Sequence, residues 1–276
     1  MRIDAHQHFW DISKLHYAWM PAGDSVLRRN YLPEDLAPAL ARSNFDGTVV
    51  VQANVTLSET WWLLDLASKH DLVRGVVAWV DLTNERIGAT LDECRKNPKF
   101  KGVRHLVHDE PDRQWLLRPD VLRGLRELAR RDIPYDLLLR PAHLPLIPRL
   151  AEEVPGLRMV IDHIAKPPIA SRTFDPWAHD METVSKIPGM HCKLSGMITE
   201  ADHAAWTADD LKPYVQHVLS LFAPDRSMFG SDWPVCKLAG SWKQVLAAFT
   251  QSCGALPQTD RNKILGETAT AFYWLS

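Results

Sequence analysis

The segment IDAHQHFWDISK, residues 3–14, decides between two ways of building a protein from alternating strands and helices. Residues 3–9 have the composition of a first strand, and an open doubly wound sheet typically follows that strand with a glycine-rich phosphate loop. Here the strand runs into Trp10-Asp11-Ile12-Ser13-Lys14, which contains no glycine. Neither G-x-G-x-x-G nor a Walker motif occurs elsewhere, so nothing in the sequence indicates a nucleotide cofactor.

Further short β-branched runs alternate with longer segments of helical period, the pattern of βαβ units around a parallel sheet. The predicted strands are residues 3–9, 48–54, 75–80, 102–107, 135–139, 159–163, 191–194 and 228–231. The predicted helices are residues 33–43, 59–70, 85–97, 120–131, 144–153, 175–186, 209–222, 242–250 and 260–273. Eight strands, each followed by a helix, predict an α/β protein with a single (β/α)₈ TIM barrel that forms one domain over residues 1–276.

The composition is that of an average globular protein, with 46% hydrophobic and 24% charged residues. Lys plus Arg is 32 and Asp plus Glu is 34, a net charge of −2, and no run of five like charges occurs, so nucleic acid is not an expected partner. The apolar stretches are far shorter than the roughly 20 residues of a membrane helix. Four widely spaced cysteines and a polar N-terminus predict reduced thiols and a cytoplasmic location.

Polar residues collect where the predicted strands end, which is where barrel enzymes place their active sites. Alternation along strand one puts His6 and His8 on one side, as two ligands of one ion or as two hydrogen-bonded rim histidines. Strand six ends in Asp162-His163, and strand eight leads into Asp232. Together these residues predict a mononuclear metal site or a metal-free acid/base cluster. The alternatives are a helix N-cap for Asp232 and a structural hydrogen bond for His163.

Four motifs together resemble the amidohydrolase superfamily. They are His6-x-His8, Asp162-His163-x-x-Lys166-Pro167, Lys193-Leu194-Ser195-Gly196 and Phe229-Gly230-Ser231-Asp232-Trp233-Pro234. The opening DAHQHFW, with Tyr17-x-Trp19-Met20 after it, is similar to the branch that contains L-fuconolactonase, L-rhamnonolactonase and 4-sulfomuconolactonase. The motifs extend from residue 4 to residue 234, nearly the whole chain, and they are specific as a set rather than singly.

The resemblance implies that Asp232 is a general base or proton shuttle and that His6, His8 and His163 surround the reacting carbonyl. Many metal-dependent members carry a histidine at the end of strand five and a lysine or carboxylate at the end of strand four. Here strand five offers Tyr135, Asp136 and Arg140, and strand four offers Arg104 and His105. We therefore expect either no required cofactor or a single divalent metal such as zinc, with His6, His8 and Asp232 as its ligands.

A sugar lactone presents several hydroxyls, so its site needs hydrogen-bonding side chains. The residues expected to contact substrate are Gln52, Arg104, His105, Trp233 and Lys193. Lys193 has the alternative of pairing with a neighbouring carboxylate. Tryptophans at or beyond strand ends are expected either to cover a sugar face or to pack in the rim and core; they are Trp10, Trp19, Trp79 and Trp233. The loop at residues 11–32 is long enough to cover the mouth and set specificity.

The predicted activity is hydrolysis of an aldonolactone, L-fuconolactone or a close relative, to the aldonic acid by water that Asp232 activates. One alternative is a carboxylated or sulfonated lactone, with Arg104 or Arg140 binding the anion. Another is zinc-dependent nonoxidative decarboxylation of an aromatic or muconate acid. A noncatalytic sugar-binding barrel would have no need of Asp232 opposite three histidines. The expected partner is thus a small-molecule lactone, with no nucleic acid and no membrane, and an oligomer is compatible with the sequence.

Overall fold

The structure, a computed structural model, describes residues 1–20 and 23–276; Pro21 and Ala22 of the predicted 11–32 loop lie outside the described residues. Eight parallel strands form one sheet in which the strands follow sequence order. They are β1 Ile3–Gln7, β2 Gly47–Val51, β3 Val73–Ala78, β4 Phe100–His105, β5 Tyr135–Leu137, β6 Met159–Ile161, β7 His191–Leu194 and β8 Ser227–Phe229.

Helices alternate with these strands, as predicted. They are α1 Pro33–Arg42, α2 Leu57–Lys69, α3 Ile87–Cys94, α4 Pro119–Arg130, α5 Ile147–Glu153, α6 Trp177–Ser185, α7 Ala208–Phe222, α8 Trp242–Cys253, α9 Gln258–Asn262 and α10 Thr268–Tyr273. Each of β1 to β8 is followed by a helix, which confirms the predicted (β/α)₈ barrel. No helix in residues 1–20 and 23–276 is long and apolar enough to cross a membrane.

The barrel closes where β1 meets the chain after β8. Gln7 and Trp233 form a parallel bridge. On either side of it the His8 N–H donates to the Trp233 carbonyl at 2.7 Å, and the Asp232 N–H donates to the His6 carbonyl at 2.8 Å. Closure therefore brings His6, His8 and Asp232, which are far apart in the sequence, to one point of the barrel mouth.

Asp4, a buried carboxylate in β1, strengthens the same junction. Its Oδ1 accepts from the Ser231 N–H and its Oδ2 accepts from the Trp242 indole N–H, both at 2.8 Å. Burial raises the pKa of Asp4 to about 6, although these hydrogen bonds oppose the shift. Asp4 thus joins β1, the segment after β8 and helix α8.

The predicted helix at residues 260–273 is two short helices, α9 and α10, joined by a π-helical turn at Lys263–Glu267. The N-terminal segment packs directly on this turn, because a Cβ added to Gly266 would lie 2.0 Å from the Met1 carbonyl oxygen. Residues of α10, Phe272 and Tyr273, share a buried apolar cluster with residues of β1, β2, β3, β6 and β8. The C-terminal helix therefore belongs to the barrel core.

Candidate active site

Three histidines surround one carboxylate oxygen at the barrel mouth. The Oδ1 atom of Asp232 lies 3.3 Å from Nε2 of His8 and 3.9 Å from Nε2 of both His6 and His163. His6 lies in β1, the other three follow β1, β6 and β8 within three residues, and all four are buried. The structure therefore brings together the four residues predicted to be catalytic. We call these four residues, whose catalytic role is a prediction, the catalytic cluster.

A left-handed turn, residues 163–166, places His163. All four residues have positive φ, from 47° at Ile164 to 60° at Ala165, and none is glycine. Such backbone costs roughly 1–2 kcal/mol per residue, so it requires external support. The Trp177 indole N–H donates to the Ile164 carbonyl at 2.7 Å, and His163 Nδ1 is 3.0 Å from the Ser195 hydroxyl. The predicted strand at residues 159–163 ends at Ile161 for this reason.

The next residue after Ser195, Gly196, is fitted to the ring of His163. Gly196 has a φ of 63°, and an added Cβ would lie only 2.4 Å from Nδ1 of His163. A side chain at this position would displace the imidazole. The glycine of the Lys193-Leu194-Ser195-Gly196 motif is therefore explained by its contact with the catalytic cluster.

Burial and mutual contact set the charges in the catalytic cluster. Burial would raise the pKa of Asp232, but His163, His8 and His6 overcome it and hold that pKa well below its usual range. Burial lowers the pKa of His163 to about 4, with Asp232 opposing the shift, and lowers the pKa of His6 well below its ordinary value. Contact with the histidines thus favours the ionised form of Asp232, whereas burial favours the uncharged forms of His6 and His163.

The hydrogen bonds of His8 show which atom it offers to the cavity. Its Nδ1 lies 2.8 Å from the Val51 carbonyl, which can only accept, so Nδ1 carries a proton. Nε2 then faces Asp232 either as a lone pair, suited to a cation, or as the second N–H of an imidazolium. A backbone carbonyl on Nδ1 is the usual arrangement for a histidine that binds a metal through Nε2.

Beneath the catalytic cluster lies a buried charge cluster, formed by Arg104, Asp136, Asp162 and Lys193. The Lys193 Nζ contacts Asp136, lies 3.1 Å from Asp162 Oδ1 and has no exposed surface. Arg104 Nη1 lies 3.2 Å from Asp162 Oδ2 and 3.3 Å from His6 Nε2. Lys193 thus forms the ion pair that is one of its two predicted roles, and its side chain does not line the cavity.

Three more of the predicted substrate contacts lie behind the cavity wall. Gln52 is fully buried, and its side-chain amide donates to the Arg104 carbonyl at 3.2 Å. Trp233 packs edge-on against Phe9 and Tyr31. The Gln52 side-chain amide N–H and the Trp233 ring thus contact protein groups, and neither residue lines the cavity.

His105 is the third. Its Nδ1 accepts from the Trp79 indole N–H at 3.0 Å, its Nε2 is 2.7 Å from Glu110, and its ring stacks on Trp115 with centroids 4.1 Å apart. Every polar atom of this ring is therefore engaged by protein. Among the five predicted substrate contacts, Arg104 lines the cavity directly.

The cavity above the catalytic cluster has a volume of about 270 Å³. Loop residues that the sequence did not identify as substrate contacts also line it: His108 and Asp109 follow β4, and Lys166 ends the left-handed turn. Trp19, from the 11–32 loop, lines it too, and its indole N–H donates to the Ala53 carbonyl at 2.7 Å. Trp19 and Lys166 stood within motifs noted in the sequence, whereas nothing in the sequence distinguished His108.

Two groups of side chains have the composition of a metal site. The ligand atoms of His6, His8 and Asp232 lie within 4.8 Å of one another, as do those of His6, Asp162 and His163. The first set fits a divalent metal, because the protonation of His8 Nδ1 leaves Nε2 available and N/N/O ligation suits zinc. The second set fits poorly, since Arg104 and Lys193 already occupy Asp162 and would repel a cation.

A parallel (β/α)₈ barrel whose mouth joins a histidine pair from strand one, a histidine after strand six and an aspartate after strand eight defines an amidohydrolase-type hydrolytic centre. The chain belongs to the Amidohydrolase family, whose sequence model matches residues 3–275. This match confirms the resemblance found in the motifs.

Curated relatives and a solved structure are similar over the full length. L-fucono-1,5-lactonase from Burkholderia ambifaria is 39% identical over 99% of this chain and 95% of its own. L-fucono-1,5-lactonase from Burkholderia multivorans is 35% identical over 100% and 96%. The crystal structure of an amidohydrolase from B. multivorans with bound zinc superposes with a TM-score of 0.92, at 35% identity and complete coverage of both chains.

Proposed function

We propose that this protein hydrolyses a sugar lactone to the corresponding aldonic acid, with L-fucono-1,5-lactone as the first substrate to test. The observation that carries the proposal is a buried Asp232 carboxylate that lines a cavity and lies within 3.9 Å of three histidines. The two Burkholderia relatives, similar along their whole length, are lactonases of this kind. A lactone is a cyclic ester, so a positioned water and a proton acceptor suffice to open it.

In the proposed mechanism, the oxygen of a water molecule attacks the lactone carbonyl carbon while Asp232 accepts one of its protons. The tetrahedral intermediate collapses by breaking the bond between the carbonyl carbon and the ring oxygen. Asp232 returns the proton to that ring oxygen, which becomes a hydroxyl of the open acid. The low pKa of Asp232 keeps it ionised and ready for the first transfer at neutral pH.

The negative charge that develops on the carbonyl oxygen requires donors fixed in place before the reaction. Arg104 supplies a guanidinium at the cavity wall, held by Asp162 and by the neighbouring His6. The imidazole of His163 adds polar atoms at the cavity surface, and His6 lies behind it against Asp232. Where a divalent metal such as zinc is bound, His6, His8 and Asp232 would hold it, and it would polarise the carbonyl or a water molecule.

The charges along the cavity favour a neutral substrate over a carboxylated or sulfonated one. Among the residues that the structure describes, both cations lining the cavity are paired with a carboxylate: Arg104 with Asp162, and Lys166 with Glu200. Asp109 adds a further negative group to the wall. An anionic ring would have to displace one of these pairs, whereas the hydroxyls of a sugar lactone can share them.

The test measures hydrolysis of a panel of substrates by the wild-type protein, with a pH indicator that reports acid release. The assay is run with and without a chelator, and bound metal is quantified in the same sample. The panel contains L-fucono-1,5-lactone, L-rhamnonolactone, a sulfonated muconolactone and an aromatic acid monitored for CO₂ release. We expect the neutral sugar lactones to react fastest. Turnover of the aromatic acid alone, with stoichiometric zinc, would overturn the proposal in favour of a decarboxylase.

A further inference from the structure

Lys166 has no part in the mechanism above, yet the fold directs it into the same cavity as His163. It is the last residue of the left-handed turn, and its backbone N–H closes that turn by donating to the His163 carbonyl at 2.8 Å. Residues three apart in such a tight turn lie on the same side of it. His163 and Lys166 therefore both line the cavity.

From this geometry we propose that Lys166 is a specificity-determining residue that binds a hydroxyl of the lactone substrate. The inference rests on the proposed function and extends it, because it assigns recognition of the sugar to a side chain separate from the reacting atoms. It also gives a reason for four consecutive non-glycine residues with positive φ, since strained backbone of this kind is retained where position matters to function.

The immediate partner of Lys166 indicates the chemistry of the ligand. Its Nζ donates to Glu200 Oε1 at 2.8 Å, and both side chains are partly exposed, at 18% and 21%. An ammonium group has three N–H donors, and in the part of the chain that the structure describes one of them is engaged by Glu200. Because Glu200 neutralises the charge, the group is suited to a hydroxyl rather than to a carboxylate or sulfonate.

A second titratable group on this wall, His108, is consistent with a neutral ligand. Burial, followed by the positive charge of Lys166, lowers the pKa of His108 to about 3. His108 is therefore an uncharged ring at neutral pH, with Nε2 3.1 Å from Asp109. The wall that Lys166 shares with His108 offers hydrogen-bonding groups without excess positive charge.

Arg172 provides a matched control within the same segment. It also has a left-handed backbone, with a φ of 54°, and it also pairs with a carboxylate, Asp210, at 3.0 Å. Its side chain is 82% exposed and does not line the cavity above the catalytic cluster. A purely structural contribution from a left-handed, ion-paired cation would be shared by both residues, whereas recognition of substrate would belong to Lys166.

The experiment compares Lys166→Met with Arg172→Met on two substrates: L-fucono-1,5-lactone and δ-valerolactone, a lactone of the same ring size without hydroxyls. For Lys166→Met we expect KM for the sugar lactone to rise about tenfold to hundredfold, the loss of one charge-assisted hydrogen bond, with kcat changed less than about threefold. The kcat/KM for δ-valerolactone should fall much less. Arg172→Met should resemble wild type on both.

A second pair of variants keeps the inference testable if Lys166→Met folds poorly. Lys166→Arg retains the charge but changes the donor geometry, and it should weaken sugar-lactone binding by a smaller factor. Glu200→Gln leaves the Lys166 charge uncompensated, and it should raise activity on a sulfonated lactone relative to the sugar lactone.

Equal losses on L-fucono-1,5-lactone and δ-valerolactone, or an unchanged KM for the sugar lactone, would overturn the inference. That failure is distinct from failure of the proposed function. If the wild-type protein hydrolyses no sugar lactone at all, the proposed function falls; if it does and Lys166→Met keeps the wild-type preference, the role of Lys166 alone falls.

Discussion

The catalytic cluster and the buried charge cluster both consist of buried ionisable residues, yet they have different surroundings. Asp232, His8 and His163 border a cavity, whereas Asp136 and Lys193 contact protein on every side. The two clusters meet at consecutive residues: Asp162 points into the lower one and His163 into the upper one. The left-handed backbone that begins at His163 thus separates His163, which lines the cavity, from Asp162, which belongs to the buried charge cluster.

Arg104 belongs to the buried charge cluster and also lines the cavity, so its replacement should have the largest combined effect. Arg104→Met removes a guanidinium from the cavity wall and leaves Asp162 with one cation fewer. We expect kcat for L-fucono-1,5-lactone to fall about 10²- to 10³-fold, as on removal of an oxyanion donor. We also expect a loss of about 3–5 kcal/mol in the free energy of unfolding, the cost of breaking a buried ion pair. Steady-state kinetics and urea denaturation measure the two effects.

Arg104→Lys is the matched variant for this prediction. It keeps the positive charge while losing the planar fork, in which Nη1 contacts Asp162 and His6 and Nη2 donates to the Gln52 carbonyl. Stability close to wild type with reduced kcat would support the dual role. Wild-type activity in Arg104→Met would remove Arg104 from the catalytic account.

Lys193→Met tests the claim that the lower cluster is structural. The fully buried carboxylates of Asp136 and Asp162 would lose a shared cation, and we expect about 3–5 kcal/mol less stability. KM for the sugar lactone should stay near its wild-type value in the folded fraction, because Lys193 has no surface on the cavity. Urea denaturation and KM are measured on the same preparation. A large rise in KM with unchanged stability would return Lys193 to the substrate contacts predicted from sequence.

The pH dependence of stability tests His108 on the cavity wall. Burial and Lys166 lower its pKa from 6.5 to about 3, so the unfolded chain binds a proton that the folded chain refuses between those values. Because only the unfolded chain binds this proton, His108 lowers the free energy of unfolding as the pH falls below 6.5. Between pH 7 and pH 5, His108→Gln should lose about 2 kcal/mol less than wild type, by proton linkage. Urea denaturation of both proteins at both pH values measures this difference. An equal loss of unfolding free energy in the two proteins would show that the His108 pKa is not depressed.

Trp19→Ala should have the smallest effect. Trp19 belongs to the 11–32 loop and lines the cavity, and the residue is 37% exposed. Loss of an aromatic contact with a sugar ring is worth about 0.5–1.5 kcal/mol, so we expect KM to rise about twofold to tenfold with little change in kcat. Trp61→Ala, an exposed tryptophan of helix α2 that does not line the cavity, is the control. An unchanged order of preference across the lactone panel would contradict a role for the loop in specificity.

The sequence was sufficient for the barrel because its strands are short runs buried on both faces and separated by segments of helical period. It also predicted which residues meet at the mouth, since the strands of a barrel share one C-terminal edge. It did not predict the left-handed turn, because neither Ile164 nor Ala165 favours positive φ and the support comes from Trp177, distant in sequence.

The burial of individual side chains was the second feature that the sequence could not predict. Gln52, His105 and Lys193 all stand at or near strand ends, but their exposure depends on partners in neighbouring strands. Lys193 is buried because Asp136, opposite Arg104 in the register of β4 and β5, lies within its reach. Such pairings can be predicted only when the register of the sheet is known. The position of His108 on the cavity can be predicted only when the path of the turn after β4 is known.

The most direct measurement of the central claim is kcat and the free energy of unfolding of Asp232→Asn, determined on one preparation with L-fucono-1,5-lactone as substrate. The account predicts a fall in kcat of about 10²- to 10⁴-fold, as for loss of a general base, with a smaller change in stability than in Lys193→Met. Activity within about tenfold of wild type would show that Asp232 does not carry the proton, and the assignment of chemistry to the catalytic cluster would be wrong.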